Sequence, residues 1–291
     1  MTGLREARGW SLPDFVLLIL MICVAAWVGR EPLLDIVDRG LNDRNSAYVL
    51  FAPFAAIYLV WLRRTRLQFV RYKPSLWGPV VVILGLVMNA EGFNRDIIIL
   101  WQAGVLVSII GCLISMAGIG ILRQFAPAFV AFFMVLPVPG GIRQKVAVPL
   151  QGFAAEFTSS ILELLGVDFT RLGNQLVVNG HAIAVGETCN GMSMILALGL
   201  VVFVFVFSLP LRNSARVSLL ILSPLIALVC NVLRLVPTSI MYGFSEPSIA
   251  ESVYAFSAWI MIPLAVLMLI GVLKILRWLD VPITTWRLVT T

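Results

Sequence analysis

Residues 187–209 read ETCNGMSMILALGLVVFVFVFSL. A polar pentapeptide, Glu187 to Gly191, runs without a break into Met192–Leu209, a stretch with no charged residue. A helix that crosses the hydrocarbon core of a bilayer needs about 20 largely apolar residues. A surface helix of a soluble domain would instead keep one polar face. The stretch therefore reads as a membrane span opening at a polar mouth.

The rest of the chain has the same character. Of its 291 residues, 60% are hydrophobic and 12% charged, and the mean hydropathy is +0.99. A soluble domain is about a quarter charged, so a soluble fold is excluded, and so is disorder. Four cysteines do not make a disulfide scaffold. The sequence predicts an all-α polytopic membrane protein with about eight transmembrane helices. They are Asp14–Val28, Ala47–Leu62, Leu76–Asn89, Ile97–Gly118, Phe125–Val138, Met192–Leu209, Ser218–Tyr242 and Val253–Leu273. The first of these lacks a small-residue cleavage site before Arg30 and reads as a span rather than a signal peptide.

The net charge of +6 lies in short clusters between apolar runs. That is the pattern of a topology code, not of a nucleic-acid interface. With the N-terminus inside, 13 of the 21 Lys and Arg residues fall in inner segments and 12 of the 15 acids in outer ones. Both termini are then cytoplasmic in a plasma membrane, and residues 140–189 lie outside.

That outer segment holds two expected elements. Val146, Leu150, Phe153, Phe157, Ile161 and Leu164 recur at steps of three and four, an amphipathic helix expected along the membrane interface. Gln175–Val178, Asn179-Gly180 and His181–Val185 then read as a β-hairpin on a type I′ turn. The acidic cluster from Glu31 to Arg44 reads as a solvated loop.

Few side chains could carry chemistry. Cys23, Cys112 and Cys230 lie within apolar spans, where a thiol serves as a small apolar side chain. Cys189 stands where a helix begins, and the unpaired N–H groups there favour a thiolate. Glu187 acts against it by adding a second negative charge. An incidental cysteine ahead of a helix is the competing reading. Arg234, near the outer end of the seventh span, is either a snorkelling anchor or a charge facing a polar cavity, with Asn231 on the same helix face. His181, the one histidine, follows the hairpin turn and reads as solvated.

The ordered elements resemble the exosortase/archaeosortase family of membrane transpeptidases. Leu136-Pro137-Val138-Pro139 precedes Val148-Pro149-Leu150-Gln151 and a helix ending in Leu165-Gly166-Val167. Gly173 and the hairpin follow. Val185-Gly186-Glu187-Thr188-Cys189-Asn190-Gly191-Met192 is similar to the family's V-A-E-A-C-S-G-I/L, and Asn231-Val232-Leu233-Arg234 to its N-x-x-R. The resemblance runs from about Leu136 to Trp259. It divides the chain into N-terminal transmembrane helices, 1–135, and a catalytic core, 136–291.

The resemblance implies a cysteine transpeptidase that cleaves C-terminal sorting signals at the outer face of the membrane. Its partners would be membrane-anchored proteins ending in a Pro-Glu-Pro-like motif, a transmembrane helix and a basic cluster, with an acceptor nucleophile of unspecified identity. Cys189 would be the nucleophile, Arg234 would stabilise the oxyanion, and no cofactor or metal is implied. Two positions depart from the pattern. Ser193 replaces an arginine, and Tyr254 falls where a catalytic histidine is expected. A divergent enzyme and an inactive relative that binds signals, or serves polysaccharide assembly or export, both fit those departures. A transporter would show paired repeats and mid-membrane charges, and the sequence shows neither.

Overall fold

The computed structural model describes residues 11–43, 46–69, 74–184 and 191–278. Contacts divide the chain into two compact units, Met1–Val138 and Pro139–Thr291.

The first unit is helical. Helix α1, Leu12–Val28, opens with a capping box in which Asp14 accepts hydrogen bonds from the Ser11 amide and hydroxyl. It meets α2, Arg30–Asn42, at a 73° bend. Helix α2 occupies the stretch expected as a solvated loop. It buries Pro32, Ile36 and Gly40, one residue per turn along one face. On its polar side Asp35 accepts from Arg39 at 2.7 Å and from buried Gln102 at 2.6 Å. Acidic residues that read as loop by composition are thus helical because every fourth position is packed.

After a 3₁₀ turn at Ala47–Leu50 come α3, Ala52–Leu62, and α4, Trp77–Asn94. Helix α5 follows at Ile98–Ala117. The inner residues of α4 are Gly78, Gly85 and Gly92, seven apart; Gly78 lies against Ser115 and Gly111 of α5, Gly85 against Gly104 and Ser108, and Gly92 against Trp101. A Cβ at Gly85 would sit 2.6 Å from the Gly104 carbonyl oxygen. Small residues let the two backbones touch, the usual means of association where lipid removes the hydrophobic drive between helices. The Asn89 amide adds a 2.8 Å bond to the Trp101 carbonyl. Val80, Ile83 and Val87 of α4 stay exposed, as lipid-facing residues do.

The expected fifth span, Phe125–Val138, is corrected. Only α7, Ala126–Phe133, is helical there, following the short α6, Gly120–Gln124. Eight residues rise about 12 Å, under half of a hydrocarbon core of about 30 Å.

The second unit opens with α8, Gly140–Leu164. A three-stranded antiparallel sheet follows: β1 Phe169–Leu172, β2 Gln175–Val178 and β3 His181–Ala184. The expected hairpin is present, with Val178 opposite His181 and positive φ at Asn179 (51°) and Gly180 (80°), as a type I′ turn requires. Strand β1 is additional. Gly173, at φ 62°, begins the two-residue turn that pairs Leu172 with Gln175. Val185, expected to end the hairpin, lies outside the described residues.

Three long helices complete this unit: α9 Gly191–Ser208, α10 Asn213–Phe244 and α11 Pro247–Trp278. Leu198, Val202, Leu219, Cys230, Ala265 and Leu269 form the core among them. Helix α10 continues through Pro224. The ring removes the N–H that would bond the Leu220 carbonyl, and the Ser223 hydroxyl donates to that oxygen instead, at 2.8 Å.

Among the described residues, α5 and α10 are each long and apolar enough to cross a membrane, and the bent α1–α2 pair is a third candidate. The count of about eight spans is not confirmed by these lengths. Helix α10 has the membrane pattern in full. Ile221, Leu225, Val229 and Leu233 make an exposed apolar stripe, while Asn231 and Arg234 turn inward.

Candidate functional site

The site is built on the inner face of α10. Asn231, Arg234, Leu235 and Thr238 fall at steps of three and four, and all are buried. Asn231 is 4% exposed and Arg234 8%. The Arg234 side chain is therefore not extended into open surroundings, the posture of a snorkelling anchor. The Thr238 hydroxyl donates to the Arg234 carbonyl at 2.6 Å, which saturates the backbone locally. Asn231 Oδ1 is buried without a hydrogen-bond partner among the described residues. A buried acceptor left in that state costs about 1–3 kcal/mol.

Two neighbouring elements shape this face. Ala154, Ala155 and Leu162 of α8 pack with Leu176 and Val178 of β2 against Val232 and Leu235 of α10. Full burial of a Leu or Val side chain is worth about 1.5–3 kcal/mol, so the two β2 residues dock the sheet firmly. The Asn179 side-chain amide donates to the Gly243 carbonyl at 3.1 Å, holding the turn at the end of α10. Strand β3 then leads to the stretch before α9.

Helix α8 packs on α10 through a face other than its apolar stripe. The residues it buries are Ala147, Ala154, Ala155, Thr158 and Leu162. Val146, Phe153, Phe157 and Leu164 of the expected apolar stripe are exposed. The small-residue face permits close packing on α10, and the large residues are left for the surroundings.

Of the residues singled out by sequence, Arg234 and Asn231 come together on α10. His181 is exposed at the start of β3. Tyr254 falls within α11, though its side chain is outside the described set. Cys189 and Glu187 lie outside the described residues, between β3 and α9. Sequence reasoning missed further buried polar residues: Thr158 on α8, Thr238 and Ser239 on α10, and Ser257 on α11. Thr238 was legible as the next helical step after Arg234. Thr158 was not, since its burial depends on which face of α8 docks.

A family profile described as transmembrane exosortase matches residues 40–271. Neither a curated protein nor a solved structure matches the chain. The motif resemblance began near Leu136, whereas the profile also takes in most of the first unit. With most of its length matched, and with the N-x-x-R arginine drawn into the interior of α10, the chain belongs to the transmembrane exosortase family.

Proposed function

We propose that the protein cleaves C-terminal sorting signals of membrane-anchored substrates by way of a Cys189 thioester. The observation that carries this reading is the burial of Arg234 beside Asn231, whose Oδ1 lacks a partner among the described residues. A charge so placed within a span is costly and marks a functional site by default. Family membership supports a transpeptidase-type role.

In this reading the Cys189 thiolate attacks the scissile carbonyl carbon. The C–N bond then breaks, and the leaving amine takes up a proton as the thioester forms. An acceptor nucleophile attacks the thioester, gives up its proton and restores the thiolate. Arg234 donates to the carbonyl oxygen as negative charge develops on it, and Asn231 accepts from a substrate amide. The clustering of Lys and Arg between the apolar segments would place this chemistry at the outer face, with both termini inside.

The test is processing of a reporter that ends in a matching three-part signal. Cys189→Ala should abolish processing while protein still accumulates in the membrane. Processing at the wild-type rate would end the nucleophile assignment. Orientation is checked with single cysteines: one at Ser159 should label from outside, and one at Thr65 only after permeabilisation.

A further inference from the structure

The first unit contains an apolar cavity of about 460 Å³ among α1, α3, α5 and α7. Sites for single small molecules run to about 300–1,000 Å³. Its walls include Phe15, Ile57, Val60, Leu113, Phe125 and Phe129, and almost none of the lining is polar. Left empty, such walls would forfeit dispersion contacts. The chemistry that fits them is a hydrocarbon chain.

One end of the cavity is strongly basic. Arg63 follows Val60 by three residues and so stands one turn further along the same helix face. The 3₁₀ turn Arg64–Phe69 adds Arg64 and Arg66. Arg63 and Arg66 both donate to the carbonyl of Gln124, at 3.3 and 3.5 Å, the residue just before the lining Phe125. Arg123 precedes it, exposed at the end of α6. The carboxylate beside Phe15 is Asp14, which accepts from Ser11 in the capping box of its own helix. The guanidinium groups of Arg63 and Arg66 thus meet beside the end of the hydrocarbon slot, while Arg64 lies over the Trp61 ring.

We propose that this cavity is a binding site for an anionic phospholipid of the bilayer. One acyl chain lies in the slot and the phosphate lies against Arg63 and Arg66. The arginines select for negative charge, and basic pockets between spans on the cytoplasmic side recognise anionic headgroups in this way. They also argue against the alternative occupant, the transmembrane helix of a sorting signal. Its basic cluster would meet like charge at the same end.

The experiment uses the full-length protein in nanodiscs containing equal amounts of phosphatidylglycerol and phosphatidylcholine with identical acyl chains. Native mass spectrometry then counts the lipids retained. The wild type should retain phosphatidylglycerol about thirtyfold over phosphatidylcholine, as the attraction of two arginines near a headgroup implies. The double variant Arg63→Gln/Arg66→Gln, at the end of α3 and the turn after it, should bring the two lipids close to parity. Leu113→Trp, which fills the slot, should lose both.

Equal retention by the wild type, or an undiminished preference in the double variant, would overturn the proposal whether or not Leu113→Trp folds. Displacement of the lipid by an equimolar transmembrane peptide with a basic tail would overturn it as well and assign the cavity to the signal helix.

Discussion

The Asn179 side-chain amide donates to the Gly243 carbonyl at 3.1 Å, so the turn of a small sheet is fastened to the last turn of the helix that carries Arg234. Gly243 is glycine for a local reason: a Cβ there would collide with the side chain of Val178. Gly243→Val should cost about 1–3 kcal/mol by overpacking and lower reporter processing several-fold. Gly271→Ala, where a Cβ meets nothing within 4 Å, is the silent control. Equal effects of the two substitutions, in thermal stability and in processing, would show that the fastening has no role.

Arg234→Met should abolish processing while leaving the protein in the membrane, because an apolar side chain of similar length refills the buried volume. Loss of a single oxyanion donor typically costs about 10²–10³ in rate. Arg234→Lys should recover part of the activity, and Asn231→Ala should fall between. If Arg234→Met processes normally, the arginine is structural.

Tyr254 occupies the position where the family resemblance expects a histidine. General acid–base catalysis contributes about 10²–10⁴-fold, and a tyrosine with an unperturbed pKa near 10 is a poor base at neutral pH. Tyr254→His should therefore raise processing near pH 7 and flatten its pH dependence. His181→Ala should be nearly silent, since His181 is exposed in β3. If His181→Ala is inactive while Tyr254→Phe is not, the assignment of the third position moves to His181.

The glycine seam of the first unit makes a separate prediction about stability. Gly85→Val would drive a side chain into the Gly104 carbonyl and the Ser108 backbone, separating α4 from α5. We expect most of the protein to be lost from the membrane, read by quantitative blotting. Gly120→Ala has open space around its Cβ and should accumulate normally. Normal accumulation of Gly85→Val would show that the seam tolerates separation.

The membrane class, the β-hairpin and the shared helix face of Asn231 and Arg234 were legible in the amino-acid order. Each rests on short-range regularity. Long apolar runs have to leave water, Asn-Gly supplies two residues that adopt positive φ, and a spacing of three places two side chains on one helix face. Other features depended on contacts between distant segments. Glu31 to Asn42 looks like a loop until Ile36 and Gly40 find their packing partners, and the alanine face by which α8 docks on α10 stands out only once that contact is made. The glycines of α4, seven apart, acquire meaning only against the α5 backbone at Trp101, Gly104 and Ser115. In lipid, hydrophobicity no longer separates inside from outside, because large apolar residues are equally at home against a neighbouring helix or an acyl chain. Local sequence therefore dictates that these segments leave water, while the fit of small residues between helices decides which face of each turns inward.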